Sequence, residues 1–244
     1  MSLSCPAPVA GLAPDLCRAV DIYCERTSAA FDAEPLNAIS NAAFLVAAAA
    51  AWRLQSRHPN PATDAFVRAL CLIIAVVGIG SFTFHTIATR WASWADVIPI
   101  LVFMLAYLWI MLTVFLGWHW VWKLIALTVF FALTFHLESA SYDDVLWGGT
   151  MYLPTLVAML VFGLALIRRH LEAGRAFFIA AGVFVLSFTA RTIDMPLCPA
   201  LPIGTHYFWH IFNATVLYLL VRVVILHAPA GASGARKLQP VPGL

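Results

Sequence analysis

The sequence predicts an all-α, polytopic membrane protein with seven transmembrane helices. Of its 244 residues, 62% are hydrophobic and only 11% are charged, whereas about 25% of the residues of a soluble domain are charged. The mean hydropathy is +0.88, so too few polar residues remain to cover a water-exposed surface. The third observation is a series of apolar segments close to the roughly 20 residues that a membrane-spanning helix needs. A soluble fold, a disordered chain and a coiled coil are therefore excluded.

Each apolar segment is bounded by polar or turn-forming residues, which mark the ends of the predicted helices. The seven predicted spans are Leu36–Leu54, Phe66–Ala88, Trp94–Leu116, Val121–Leu137, Leu146–Ile167, Ala176–Phe188 and Thr205–Leu226. The chain thus divides into an outer N-terminal segment (residues 1–35), a seven-helix membrane domain (36–227) and a cytoplasmic tail (228–244). The tail is rich in Pro, Gly, Ala and Ser, which predicts disorder.

The basic residues predict the orientation of the chain in the membrane. With the N-terminus outside and the C-terminus in the cytoplasm, ten of the 14 basic residues face the cytoplasm, as the positive-inside rule requires. Only four face outward, namely Arg18, Arg26, Arg90 and Arg191. Residues 1–14 lack the basic and apolar regions of a signal peptide, so we expect no cleaved leader. No basic run indicates a nucleic-acid partner.

Polar residues inside apolar spans are costly and therefore indicate function. Five of them come from three spans and lie near the outer end of the predicted bundle, namely Ser81, His85, Asp96, His206 and His210. The spacing of four residues between His206 and His210 places both rings on one face of one helix. His85 would add a third imidazole from a second helix.

Three histidine ligands with a fourth position open are the pattern of catalytic zinc. Bound zinc lowers the pKa of water to about 7. Asp96 would then orient or deprotonate that water, and the Ser81 hydroxyl would donate a hydrogen bond to a developing oxyanion. The competing interpretation is that these histidines are structural residues at helix ends. The pair Arg191 and Asp194 is interpreted as a structural ion pair or a loop anchor.

These motifs resemble those of the alkaline ceramidases, whose wider superfamily includes the progestin and adipoQ receptors. The S-x-x-x-H, D and H-x-x-x-H pattern is carried by Ser81-Phe-Thr-Phe-His85, Asp96 and His206-Tyr-Phe-Trp-His210. Further matching segments are Cys24-Glu25, Ala33-Glu34-Pro35-Leu36-Asn37, Ser40-Asn41, Gly78-Ile-Gly-Ser81 and Arg191-Thr-Ile-Asp194 with Cys198. The resemblance runs in consistent order from Asp21 to Leu226.

The resemblance implies a zinc-dependent amide hydrolase that cleaves the N-acyl bond of ceramide or a ceramide-like lipid. It assigns zinc to His85, His206 and His210, and assistance in catalysis to Asp96 and Ser81. It also implies a disulfide between Cys24 and Cys198. The short loops favour a bacterial member, and we expect an inner-membrane protein whose active site faces the periplasm.

The resemblance also raises a calcium site, because eukaryotic ceramidases bind calcium near the C-E motif. Asp21, Glu25 and Glu34 are the candidate oxygen ligands here. The sequence departs from that pattern, however. Asp21 lies one residue further from Cys24, and Thr27 replaces an asparagine.

Two other functions stay open at this stage. A metal-containing lipid receptor or scaffold would share the site without significant turnover, although no long signalling tail is present. A haem-binding electron carrier would use axial histidines, which His206 and His210 on one helix fit less well. A retinal pump is disfavoured because Lys123 and Lys237, the two lysines, lie outside the seventh span.

Overall fold

A computed structural model describes residues 14–139, 146 and 149–229 of the chain. These residues form helices and no β-strand, with one isolated bridge between Ala19 and Thr89. The α-helices are α1 (Pro35–Ser40), α2 (Ala42–Arg57), α3 (Asp64–Ile87), α4 (Arg90–Val114), α5 (Trp120–Ser139), α6 (Leu153–Ile167), α7 (Leu171–Thr192), α8 (Asp194–Leu197) and α9 (His206–His227). Short 3-10 turns lie at Pro14–Cys17 and Thr150–Tyr152.

Seven helical segments of the described chain are long and apolar enough to cross a membrane, which confirms the predicted architecture. The first is α1 and α2 together, and the fifth joins the 3-10 turn at Thr150–Tyr152 to α6. Residues 1–13 and 230–244, which include most of the predicted disordered tail, lie outside the described residues.

Two predicted spans, the sixth and the fifth, have boundaries that differ from the structure for identifiable reasons. The sixth span is longer than Ala176–Phe188, because α7 also includes Arg175 and Arg191. Arg175 pairs with Glu172 one turn away, and Arg191 lies over the rings of Tyr152 and Trp209. The fifth span does not begin at Leu146, because that residue has a φ of 56°, which a right-handed helix cannot accommodate.

Helix α9 is the central helix of the bundle. It packs against α7, α2, α1 and α3, and 61% of its apolar, membrane-spanning stretch is buried inside the protein. The core around it is apolar, with Ile74, Met111, Phe177 and Val221 among its fully buried side chains. Burial of this apolar face against neighbouring helices places the polar first turns of α9 inside the protein.

The crossing of α3 and α4 depends on Gly80. A Cβ atom at this position would lie 2.0 Å from the carbonyl oxygen of Ala95, so glycine alone permits this close approach. The crossing brings the part of α3 that carries Ser81 and His85 beside Asp96 of α4.

Candidate metal centre

Three histidines from two helices meet at one end of the bundle, which we call the histidine end. His85 lies near the end of α3, and His206 and His210 occupy the first two turns of α9. Their candidate ligand atoms all lie within 4.8 Å of one another, and the three residues are at most 1% exposed. Among the described residues, these three histidines form a group that could hold a metal ion. They are the same three histidines that the sequence analysis proposes as metal ligands.

Two of the ring nitrogens have unmet bonding capacity. In the described part of the chain, neither Nε2 of His85 nor Nδ1 of His206 has a hydrogen-bond partner, although both atoms are buried. A buried polar atom without a partner costs about 1–3 kcal/mol. A bound metal ion would satisfy such atoms, and an all-imidazole donor set suits zinc and other transition metals. The residues present therefore fit a metal ion.

The other nitrogens of two of these rings are held by neighbours. Nδ1 of His85 lies 2.6 Å from Oε2 of Glu34, and Nδ1 of His210 lies 2.7 Å from Oγ of Ser40. The Ser40 hydroxyl donates to the carbonyl oxygen of Asn37 at 2.9 Å, so it accepts the proton of His210 Nδ1. Partners of this kind set the tautomer of a ligating histidine and fix the direction of its ring.

Glu34 interacts with several groups at once. Burial alone raises the pKa of Glu34, but the hydrogen bonds from His85 and Asn37 and the positive charge of Arg26 outweigh it. The pKa of Glu34 therefore lies below its ordinary value, and the side chain is a carboxylate at neutral pH. Glu34 thus presents a negative charge to His85, which favours a proton on Nδ1 and leaves Nε2 free to bind a metal.

Tyr23 covers one face of the histidine cluster. Its ring stacks on that of His206 with 3.6 Å between centroids and lies 5.3 Å from that of His85. Burial raises the pKa of Tyr23, so the phenol stays neutral. No sequence pattern indicates this role, because Tyr23 belongs to no predicted helix and lies far from His206 along the chain.

Ser81 and Asp96 lie beside the histidines. Ser81 is buried, whereas Asp96 is partly exposed. The Asp96 side chain is hydrogen-bonded to that of Ser81 and lies near His85. The structure thus brings all five residues of the sequence-derived cluster to the histidine end.

The N-terminal segment is attached to the start of α9 by covalent and polar contacts. A disulfide joins Cys24 to Cys198, which are 174 positions apart, with 5.4 Å between their Cα atoms. Buried Asp194 accepts hydrogen bonds from the backbone N–H groups of Thr205 and His206 through Oδ1, and from that of Cys24 through Oδ2. Asp194 is therefore a loop anchor, and these contacts hold Tyr23 over His206.

The three carboxylates named for calcium are not gathered into one group in the described residues. Glu25 accepts the backbone N–H groups of Leu36 and Asn37 at the start of α1, at 2.7 and 2.8 Å. Glu34 faces Arg26 and His85, and Asp21 is exposed. Calcium binding by Asp21, Glu25 and Glu34 stays a prediction.

The fold and the site together define a class of protein, namely a seven-helix integral membrane protein with a buried three-histidine site that could hold a metal ion. The family model described as Ceramidase matches residues 22–235, so the chain belongs to the ceramidase family. A comparison with curated proteins finds no match. The family suggests an amide hydrolase with a lipid substrate.

Proposed function

We propose that this protein hydrolyses the N-acyl bond of ceramide or a ceramide-like lipid, with zinc held by His85, His206 and His210. The observation that carries the proposal is the cluster of three buried imidazoles inside a membrane-spanning bundle, two of which, His85 and His206, have a buried nitrogen without a hydrogen-bond partner. Membership in the ceramidase family supports the choice of a lipid amide as substrate.

When bound, zinc supplies the Lewis acidity that activates water and polarises a carbonyl group. The Asp96 carboxylate accepts a proton from the attacking water and returns it to the departing amine nitrogen. The Ser81 hydroxyl donates a hydrogen bond to the oxygen of the amide carbonyl, where negative charge develops. Tyr23 shields the histidines from bulk water on the face that it covers. The products are a fatty acid and a free amine.

An apolar cavity next to the histidines supports a lipid substrate. Phe44, whose ring lies 6.5 Å from that of His210, is one of its walls, and Asn213 lines it one turn further along α9. The remaining walls come from several helices and include Met104, Tyr107, Leu217 and Leu220. The Tyr107 hydroxyl donates to the carbonyl oxygen of Leu220 at 2.9 Å, so it presents no free polar group to the cavity. The cavity measures about 60 Å³ in this structure, so we propose that its apolar walls move apart to admit an acyl chain.

We further propose that the histidine end faces the periplasm of a bacterial inner membrane. The distribution of basic residues supports this orientation, with ten of 14 on the opposite side. The thiol of the variant Ser93→Cys, at a partly exposed position of the histidine end, should react with an impermeant thiol reagent added outside intact cells. Reaction only after cell lysis would contradict the orientation.

The central test is hydrolysis of a fluorescent short-chain ceramide by the purified protein. We expect wild-type turnover to be lost in the double variant His206→Ala, His210→Ala. The exposed neighbour on the same helix, Ile211→Ala, serves as the matched control and should retain activity. Full activity in the double variant would refute the proposal. Tight lipid binding with only trace turnover in the wild type would instead favour a receptor or scaffold.

A further inference from the structure

Arg26 places a buried positive charge directly behind the histidine cluster. The residue is 8% exposed, and its guanidinium group is surrounded by oxygen atoms. Nε pairs with Oε1 of Glu34, and Nη2 donates to the carbonyl oxygen of His85 at 2.9 Å. Nη1 donates to the carbonyl oxygens of Ser28 and Ala30 at 3.1 and 3.4 Å. The hydrolytic scheme above assigns no task to this charge.

The contacts of Arg26 restrain His85 in two ways. One oxygen of the Glu34 carboxylate faces Arg26, and the other faces Nδ1 of His85. The same guanidinium also holds the backbone carbonyl of His85. Arg26 therefore fixes both the backbone of this ligand and the carboxylate that orients its ring. Fixed partners of this kind raise the metal affinity of a site.

The atoms around Arg26 are oxygens of the type that hard divalent cations prefer as ligands. Calcium binds carboxylate and backbone carbonyl oxygens, and here one carboxylate and three carbonyls surround one position, where they face the three nitrogens of a single guanidinium group. That position is filled by the guanidinium of this chain itself. Its positive charge opposes the entry of a second cation. Glu25, a further candidate calcium ligand, is engaged at the start of α1.

We propose that Arg26 is a built-in cation of the metal centre, a positioning residue that holds Glu34 against His85 and takes the place that a calcium ion would otherwise occupy. The inference rests on the proposed function, because it takes His85 to be a metal ligand. It goes further because the positive charge beside Glu34 and His85 is supplied by the Arg26 side chain. The wild-type metal centre should therefore require no calcium.

The test compares Arg26→Ala with the wild type and with Arg90→Ala. Arg90 is a matched control because it pairs with Asp15 at an exposed position of the same end. Zinc affinity is measured by competition with a chromogenic chelator, with calcium added or removed by a calcium-selective chelator. We expect Arg26→Ala to lower zinc affinity by about 10- to 100-fold. Added calcium should restore much of that affinity, because the vacated oxygen atoms become available to it.

The calcium response separates positioning from a general effect on folding. Wild type and Arg90→Ala should bind zinc equally well with and without calcium. A wild-type centre that needs calcium would overturn the inference, and so would an Arg26→Ala variant with unchanged zinc affinity. If Arg26→Ala does not fold, the inference is tested by the zinc affinity of the wild type and of Arg26→Lys with and without calcium. We expect the zinc affinity of both to be independent of calcium. Absence of zinc or of hydrolysis in the wild type would contradict the proposed function instead.

Discussion

The histidine end and the apolar interior of the bundle are held together by different forces. At the histidine end, buried Arg26, Glu34 and Asp194 each contact defined partners at hydrogen-bonding distance. In the interior, side chains such as Phe103 and Val221 are buried among other apolar groups. Hydrogen bonds depend strongly on direction, whereas apolar burial does not. The first region is therefore suited to fixing the proposed metal ligands, and the second is the region in which we propose that an acyl chain binds.

This difference has a consequence for substitutions. Loss of one polar partner at the histidine end leaves other buried groups unsatisfied, which is costly. A change of shape in the interior alters packing but leaves the polar contacts intact. Substitutions in the two regions should therefore affect different measurements, namely metal affinity in one case and lipid selectivity in the other.

The largest effect is expected for Asp194→Ala. Three backbone N–H groups, of Cys24, Thr205 and His206, lose their shared acceptor. We expect the free energy of unfolding to fall by about 3 kcal/mol or more, and zinc affinity to fall about 100-fold because the first turn of α9 is released. Chemical denaturation in detergent and chelator competition measure the two effects.

Asp64→Ala is the matched control for Asp194→Ala at the opposite end of the bundle. Asp64 accepts the backbone N–H of Asn60 at 2.8 Å in the first turn of α3. Its loss should lower stability slightly and leave zinc affinity unchanged. Equal zinc affinity in both variants would remove the distinction between the two regions.

The next largest effect is expected for Gly80→Ala, which forces α3 and α4 apart. The added Cβ would lie 2.0 Å from the Ala95 carbonyl oxygen. Asp96 would move away from the histidines, so we expect kcat to fall by about 10- to 100-fold. Zinc should remain bound because its three proposed ligands lie on α3 and α9. Steady-state kinetics and metal content distinguish these effects.

Gly182→Ala provides the control for Gly80→Ala. A Cβ atom at Gly182 meets nothing within 4 Å, so alanine should be neutral or should favour helix α7 slightly. Unchanged kcat in Gly80→Ala would show that the α3–α4 crossing does not position Asp96.

The smallest effect on the metal centre is expected for Leu217→Trp, which fills part of the apolar cavity. The indole should reduce kcat/KM for long-chain ceramides about tenfold relative to short-chain ones, with zinc content unchanged. Ile211→Trp, on the exposed face of the same helix, should leave chain selectivity as in the wild type. Equal selectivity in both variants would contradict acyl binding in the cavity.

Much of this arrangement follows from local patterns in the sequence. Hydropathy predicts the seven spans that the structure contains. Helical spacing and depth in the membrane predict that His85, His206 and His210 lie close together, as they do. Their convergence needs only the direction of the helices and the four-residue spacing on α9.

The contacts around the histidines could not be predicted in the same way. Glu34 partners His85, and Tyr23 stacks on His206, although both come from an N-terminal segment with no apolar periodicity. Their positions depend on the disulfide and on Asp194, which join residues about 170 positions apart. Periodicity describes one helix at a time, so it carries no information on such long-range contacts.

The proposed zinc site is tested most directly by the metal content of purified protein, measured by mass spectrometry for wild type and for the double variant His206→Ala, His210→Ala. We expect about one zinc ion per wild-type chain and none in the double variant. A well-folded, chelator-free wild-type protein without bound metal would contradict it. The three histidines would then be structural residues, and a metal-dependent hydrolysis would have to be abandoned.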